Sequence, residues 1–303
     1  MFQHYHQGEL QVQEKAGVRD LAERSGKVIS NKIPAGALNF IDKQPMVIVS
    51  SLDNKEHIWV SILAGKPGFM KAENTTCINF NLSMLSSSRQ DIFWRNIERN
   101  SEISMLFIEL SSRRRLRVNG TATIDAALMT INVKEAYPNC PKYIQRREIE
   151  IKNSIAEVAG QYKEFNVLNN ELKSWIERAD TFFVGSADDN RNLDVNHRGG
   201  NPGFIRIIGD NSLQIPDYEG NRMFNTFGNF VLNPGAGLLF VDFDRGTTLQ
   251  MFGTAEILWD QDDPENRTGG SGRFWNFYIN RCLILDSLKG LNWNFIDYSP
   301  HNP

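Results

Sequence analysis

The stretch "GGNPGF" (199–204) repeats a turn already present as "AGKPGF" (64–69). Superposing Gly65 on Gly200 sets an offset of 135 residues, and at that offset "PMVIVSSLDNKEHIWVSILAGKPGF" (45–69) aligns without a gap on "DTFFVGSADDNRNLDVNHRGGNPGF" (180–204), with 8 of 25 positions identical. A second block follows in the same order. "LFIELSSRRRLRVNGTATI" (106–124) matches "LFVDFDRGTTLQMFGTAEI" (239–257) at an offset of 133, with 7 of 19 identical. Two collinear, ungapped matches identify a duplicated domain.

Each copy reads as β-rich. Met46–Ser51 and Thr181–Ser186 are short apolar runs followed by polar clusters and a second strand-like run, which is a hairpin signature. Ile103–Leu110 with Leu116–Ile124, and Gly237–Phe243 with Leu249–Leu258, repeat that pattern. A helix is expected over about Ser86–Arg99, with its counterpart over Asn221–Leu232, the latter ended by Asn233-Pro234. Gly8–Ile29 and Pro141–Glu177 are also helix-compatible. The expected fold class is mainly β: a small barrel in each half, with accessory helices. Trp259, Phe274, Trp275, Phe277, Tyr278 and Trp293 are assigned mostly to the core.

The chain of 303 residues is 41% hydrophobic and 23% charged, with a net charge of −3. That balance fits a soluble globular protein and argues against a general nucleic-acid binder. No apolar run approaches the roughly 18–20 residues of a membrane span, and the N-terminus lacks a basic-then-apolar signal pattern. A cytoplasmic location is therefore expected. Cys77, Cys140 and Cys282 lie far apart, form no CxxC and show no metal spacing, so they are expected to be idle thiols. There is no GxGxxG, GxxxxGK[ST], HExxH or GxSxG, and the histidines form no ligand cluster. No metal is expected, and any nucleotide would use neither a Rossmann nor a P-loop site.

The two copies differ where a site is expected. Val60-Ser61-Ile62-Leu63-Ala64 in the first becomes Val195-Asn196-His197-Arg198-Gly199 in the second. The next loop in the second copy carries Gly220-Asn221-Arg222 at an expected helix start, followed by Asn225 and Thr226. Backbone N–H groups there favour an anion, and Arg222 can clamp a phosphate bidentately. The bland alternative is an ordinary loop with a solvated arginine. In the first copy, Arg113, Arg115 and Arg117 share one face of a strand, opposite Gly246, Thr248 and Gln250 in the second. That face either reaches a ligand held by the other half or is simply solvated.

The stretches "LLFVDFDRGTTLQMFGTAEI", "DVNHRGGNPGF" and "IPDYEGNRMFNTFGN", with the terminal "LNWNFIDYSPHNP", resemble the pyridoxamine 5′-phosphate oxidase-like flavoproteins. They resemble in particular a two-repeat subgroup that occurs alone or fused to ferredoxin-reductase modules. The resemblance implies an FMN-binding split barrel in duplicate, so that one chain supplies both halves of a pseudo-dimer and a homodimer of chains stays open. It divides the chain into a first repeat with N-terminal helix (1–140), a helical connector (141–178) and a second repeat forming the main FMN-binding half (179–303). Carried over by position, cofactor contacts fall on Val195, Asn196, His197, Arg198, Pro216, Asp217, Gly220, Asn221, Arg222, Asn225, Thr226 and Gln250, with Arg115 and Arg117 from the first repeat. His197 is the candidate proton-transfer residue. The oxidase's Ser-Arg-Lys step reads Gly220-Asn221-Arg222, and its C-terminal Arg- and His-containing substrate motif has no match. The implied function is thus an FMN-dependent oxidoreductase with its substrate open, served by NAD(P)H or a separate reductase. The alternative is a non-catalytic module that binds or senses a flavin or haem.

Overall fold

The computed structural model describes residues 4–151, 162–288 and 290–303. Helices α1 (Gln7–Lys15), α2 (Arg19–Gly26) and α3 (Leu38–Asp42) precede the first barrel. That barrel consists of β1 (Met46–Leu52), β2 (Ile58–Ala64), β3 (Met70–Asn74), β4 (Cys77–Asn81), helix α4 (Ile92–Ile97), β5 (Glu102–Glu109), β6 (Arg114–Asp125) and β7 (Leu128–Pro138). After β8 (Arg146–Ile151), β9 (Lys163–Phe165) and α5 (Asn170–Arg178), the second barrel repeats the series. It runs through β10 (Thr181–Ala187), β11 (Leu193–Gly199), β12 (Arg206–Ile207), β13 (Ser212–Pro216), α6 (Asn225–Leu232), β14 (Gly235–Asp242), β15 (Thr247–Leu258) and β16 (Phe274–Asp286). β17 (Leu291–Asp297) then pairs with β8.

The duplication holds to the single residue. The strand orders are β2-β1-β5-β6-β7-β4-β3 and β11-β10-β14-β15-β16-β13-β12. Met46 pairs with Ala64 as Thr181 pairs with Gly199, and Glu102 pairs with Thr121 as Gly235 pairs with Thr254. Even the irregularities recur, because the register shifts at Asn119/Gly120 and again at Phe252/Gly253. A Cβ on Gly120 would lie 2.2 Å from the Asn132 carbonyl oxygen, and one on Gly253 would lie 2.0 Å from that of Tyr278. The repeated Pro-Gly-Phe turn has the same kind of cause. Gly68 and Gly203 both sit at φ 89°, where a side chain is strained, and Gly65 and Gly200 each lie flat against the ring of Phe69 or Phe204.

β1, β2 and β10 are buried along their whole length because they have two apolar neighbours. Val47, Val49 and Leu63 face the first barrel's interior, while Phe182 and Val184 face the second's. The alternate residues Met46, Ile48, Val60, Ile62, Phe183, Val195 and Leu239 meet between the barrels as a third core. This back-to-back packing explains continuous apolar runs where a one-sided sheet would alternate.

Three helix expectations change. Only Ile92–Ile97 of the Ser86–Arg99 stretch is helical, because the Ser86 and Ser87 amides donate to the Ala64 carbonyl and Asp91 caps the helix instead. α6 begins at Asn225 and not at Asn221, since Arg222 and Phe224 adopt φ of 65° and 61°, outside the helical region. In the connector, Arg146–Ile151 is a strand and Asn170–Arg178 a helix, and the rest of the expected helix lies partly outside the described residues.

Candidate functional site

A cleft with a cavity volume of about 150 Å³, partly open to solvent, lies where the two barrels and the N-terminal helices meet. One wall is the first-repeat side: Arg115 of β6 and the segment after β7, with Asn139, Cys140, Lys142 and Tyr143. The opposite wall is Asn196–Gly199 of β11, Pro216–Arg222 after β13, and Phe224–Phe227 at the start of α6. Ala16 and Val18, between α1 and α2, close one side. Tyr143 connects the two walls: its hydroxyl donates to the Glu219 carbonyl at 2.8 Å, and its ring meets that of Tyr218 at 4.9 Å.

Positive charge dominates the lining, with Arg115, Lys142, Arg198, Arg222 and Arg273 against Asp217 and Glu219. Asp217 is buried and organises two of these cations. One carboxylate oxygen accepts from Arg198 at 2.8 Å and the other from Arg273 Nε at 3.0 Å. Each arginine also lies near an aromatic ring, Arg198 near Phe227 and Arg273 near Phe224. Arg115 donates from Nε to the Cys140 carbonyl at 2.6 Å. Burial lowers the Arg115 guanidinium to about 10, which leaves it cationic at neutral pH. His197 is buried at 5% exposure. Burial, reinforced by Arg115, Arg198 and Arg147, holds its imidazole well below the ordinary histidine range, so the ring is neutral. Neither ring nitrogen of His197, nor Nε of Arg198, has a hydrogen-bond partner among the described residues. One carboxylate fixing two guanidiniums, inside a cleft with a net excess of cations, is an arrangement suited to an anion.

Strand alternation divides the expected contacts. Asn196 and Arg198 share a face of β11, paired across the sheet with Val184 and Phe182. His197 pairs with Phe183 and points with Val195 toward the inter-barrel side. Asn196, His197, Arg198, Pro216, Asp217, Gly220, Asn221, Arg222, Asn225, Thr226 and Arg115 all line the cleft. Val195 does not: it is fully buried in the core between the barrels. Arg117 also lies outside the lining, fully buried and bonded to Asp194 at 2.9 Å, to the Tyr137 hydroxyl and to Asn196, so it braces the cleft wall from behind. Gln250 is likewise buried and far in the fold from the lining, donating to the Val60 carbonyl at 2.9 Å and to Ser61 Oγ at 2.7 Å. Arg222 stands three residues before α6 with a 43% exposed side chain, 3.9 Å from Glu219, and so is not at the helix start the sequence implies. Arg273, Tyr143 and Tyr218 escaped the sequence reading. Arg273 is at the edge of β16, more than 50 residues from Asp217, and nothing local marks it. Cys140, expected to be idle, also lines the cleft.

No family profile matches the chain, nor does any curated protein. Solved structures do. HupZ of Group A Streptococcus is 18% identical, with a TM-score of 0.31, covering 37% of this chain and 89% of its own. A Clostridium acetobutylicum protein related to general stress protein 26, of the pyridoxinephosphate oxidase family, is 16% identical with a TM-score of 0.25, covering 43% and 92%. A FAD-binding protein of Mesorhizobium loti is 11% identical with a TM-score of 0.29, covering 42% and 98%. The duplicated strand order and register are decided by this chain's own geometry. The chain is a mainly β protein in which one antiparallel strand order occurs twice.

At the positions equivalent to the β11 wall, the first repeat carries different side chains. Trp59 stands where Asp194 stands in the second repeat, with Ile62 and Leu63 for His197 and Arg198. Trp59 packs with Ile92, Leu283 and Phe252. Asp91, buried and with its carboxyl raised by desolvation, accepts from Ser61 Oγ at 2.6 Å and from Gln250. Among the described residues no helix is long and apolar enough to cross a membrane, and no group of three His, Cys, Asp or Glu is arranged to hold a metal.

Proposed function

We propose that the cleft binds FMN and that the protein is an FMN-dependent oxidoreductase. The observation that carries this is Asp217 holding Arg198 and Arg273 together in a cleft with aromatic walls. The residues fit such a cofactor. Arg198, Arg273 and Arg222 supply charge for a phosphate, Asn221 and the Thr226 hydroxyl supply neutral donors, and Tyr143, Tyr218 and Phe224 supply flat surface for a ring. Bound FMN would supply the redox chemistry. The chain's part is to orient the ring, exclude water and place hydrogen bonds around it. His197, as a neutral imidazole, donates or accepts one hydrogen bond and stores no proton at neutral pH. Tyr143, hydrogen-bonded across to Glu219, connects the two walls.

Fluorescence titration with FMN and riboflavin, against Arg198→Ala, Arg222→Ala and the parent, tests the reading. Each charge-assisted bond to a phosphate is worth about 1.5–3 kcal/mol, so each variant should lose roughly ten- to a hundredfold in FMN affinity and little in riboflavin affinity. Equal losses for both ligands would remove these arginines from the phosphate. Reduction of the bound flavin by NADPH, NADH or an added reductase, followed by reoxidation, separates an enzyme from a carrier. A colourless protein that takes up no flavin would sink the proposal.

A further inference from the structure

The ligand-facing segment 221–226 has an unusual backbone: within it the Met223 amide donates to Asn221 Oδ1 at 3.1 Å, and the remaining contacts that fix it come from outside the segment. Arg222 and Phe224 both sit in the left-handed region, at φ 65° and 61°. The residue between them, Met223, is turned inward and 2% exposed, packed against Tyr5, Ala22, Ile29 and Tyr137. Non-glycine residues hold such conformations only where surrounding structure fixes them. The packing partners of Met223 lie outside α1, and α1 supplies the hydrogen bonds to the segment. Gln13, fully buried, donates from Nε2 to the Met223 carbonyl at 2.8 Å, and Arg19 in turn donates to Gln13 Oε1 at 2.9 Å. Asn225 donates to the buried Glu9, and His6 meets Asn229 at 2.9 Å. α1 and α6 touch backbone to backbone: a Cβ on Gly8 would lie 2.1 Å from the Gly228 carbonyl oxygen, and one on Gly228 would lie 2.6 Å from Glu9 N.

We infer that α1 is the positioning element of the cleft, holding residues 221–226 in the one backbone path that presents Asn221, Arg222 and Thr226 to the anionic end of the ligand. This rests on the cofactor reading above for the ligand's identity. Gln13 acts through Met223 and touches no ligand. Gly8 acts by letting the two helices approach.

Gln13→Leu removes the donor at nearly constant volume, and Gly8→Val forces the helices apart. Ile78→Ala, buried in β4 within the core of the first barrel, serves as a control with a general loss of stability. In the full chain, amide hydrogen exchange over 219–226 should rise on the order of tenfold in Gln13→Leu and Gly8→Val, about 1.4 kcal/mol of local opening, and stay unchanged in Ile78→Ala. FMN affinity should fall by about the same factor while riboflavin affinity stays put. Should Gly8→Val fail to fold, Gln13→Leu carries the test. Unchanged exchange, equal losses for FMN and riboflavin, or the same pattern in the control each overturn the inference. A parent protein that binds neither flavin ends the cofactor reading, while the exchange difference still decides whether α1 holds the segment.

Discussion

Arg117 and Gln250 occupy equivalent places on β6 and β15, and each crosses to the facing strand of the other barrel. Arg117 reaches Asp194 and Asn196 on β11, and Gln250 reaches Val60 and Ser61 on β2. Asn196 is the repeat partner of Ser61, so one geometric relationship occurs twice with different chemistry. On the Arg117 side a cationic cleft opens beside it. On the Gln250 side Trp59, Ile92, Leu283 and Phe252 pack together, and Asp91 accepts from Ser61 and Gln250.

Titration should therefore saturate at one FMN per chain. Absorbance of the bound flavin against protein concentration measures this. Two equivalents of equal affinity would contradict the asymmetry between the copies, in which Ile62 and Leu63 stand for His197 and Arg198.

Arg198 and Arg222 should separate stability from binding. Arg222 is largely exposed and its one ion pair is long, so Arg222→Ala should shift unfolding free energy by less than about 0.5 kcal/mol. Arg198→Ala leaves the buried Asp217 with Arg273 alone and should cost about 1–3 kcal/mol. Denaturant unfolding of the apoprotein decides it, and equal effects would mean that Asp217 does not depend on Arg198.

Glu9 gives a pH dependence with a definite sign. Burial, with the charge of Asp194, raises its carboxyl from 4.5 to about 8. The folded state then holds a proton that the unfolded state has released, so this contribution is full below about pH 4.5 and declines until pH about 8. Glu135, raised to about 7, acts in the same direction. Glu9→Gln should flatten the fall in melting temperature between pH 5 and 8, and an unchanged slope would show that Glu9 is not the titrating group.

Two glycines should respond differently. Gly253→Ala drives a Cβ into the Tyr278 carbonyl and should destabilise by on the order of 1–3 kcal/mol. Gly220 has open space where its Cβ would go, so Gly220→Ala should leave the apoprotein's melting temperature unchanged. If a phosphate approaches the backbone there, the same variant weakens FMN and spares riboflavin. Thermal melts and the two titrations check both halves.

The sequence by itself determined the duplication, the strand pairs and the asymmetry between the copies. These are local or internally repeated features: Gly68 and Gly203 are needed for one turn conformation, and the continuous apolar runs along β1 and β10 follow from two apolar faces. It also marked the β11 strand and the 216–226 loop, because His197, Arg198 and Arg222 replace apolar or unremarkable residues of the first copy. Only the tertiary structure decided which of these meet. Strand alternation sends Val195 into the inter-barrel core and Asn196 into the cleft wall, and Gln250 lies against β2 because β15 packs there across the two sheets. Arg273 joins Arg198 only through Asp217, and Gln13 reaches Met223 across 210 residues of chain. A side chain whose role depends on a partner so distant carries no periodicity or motif of its own. Its neighbours are set by how the helices and barrels pack, and packing is a property of the folded chain.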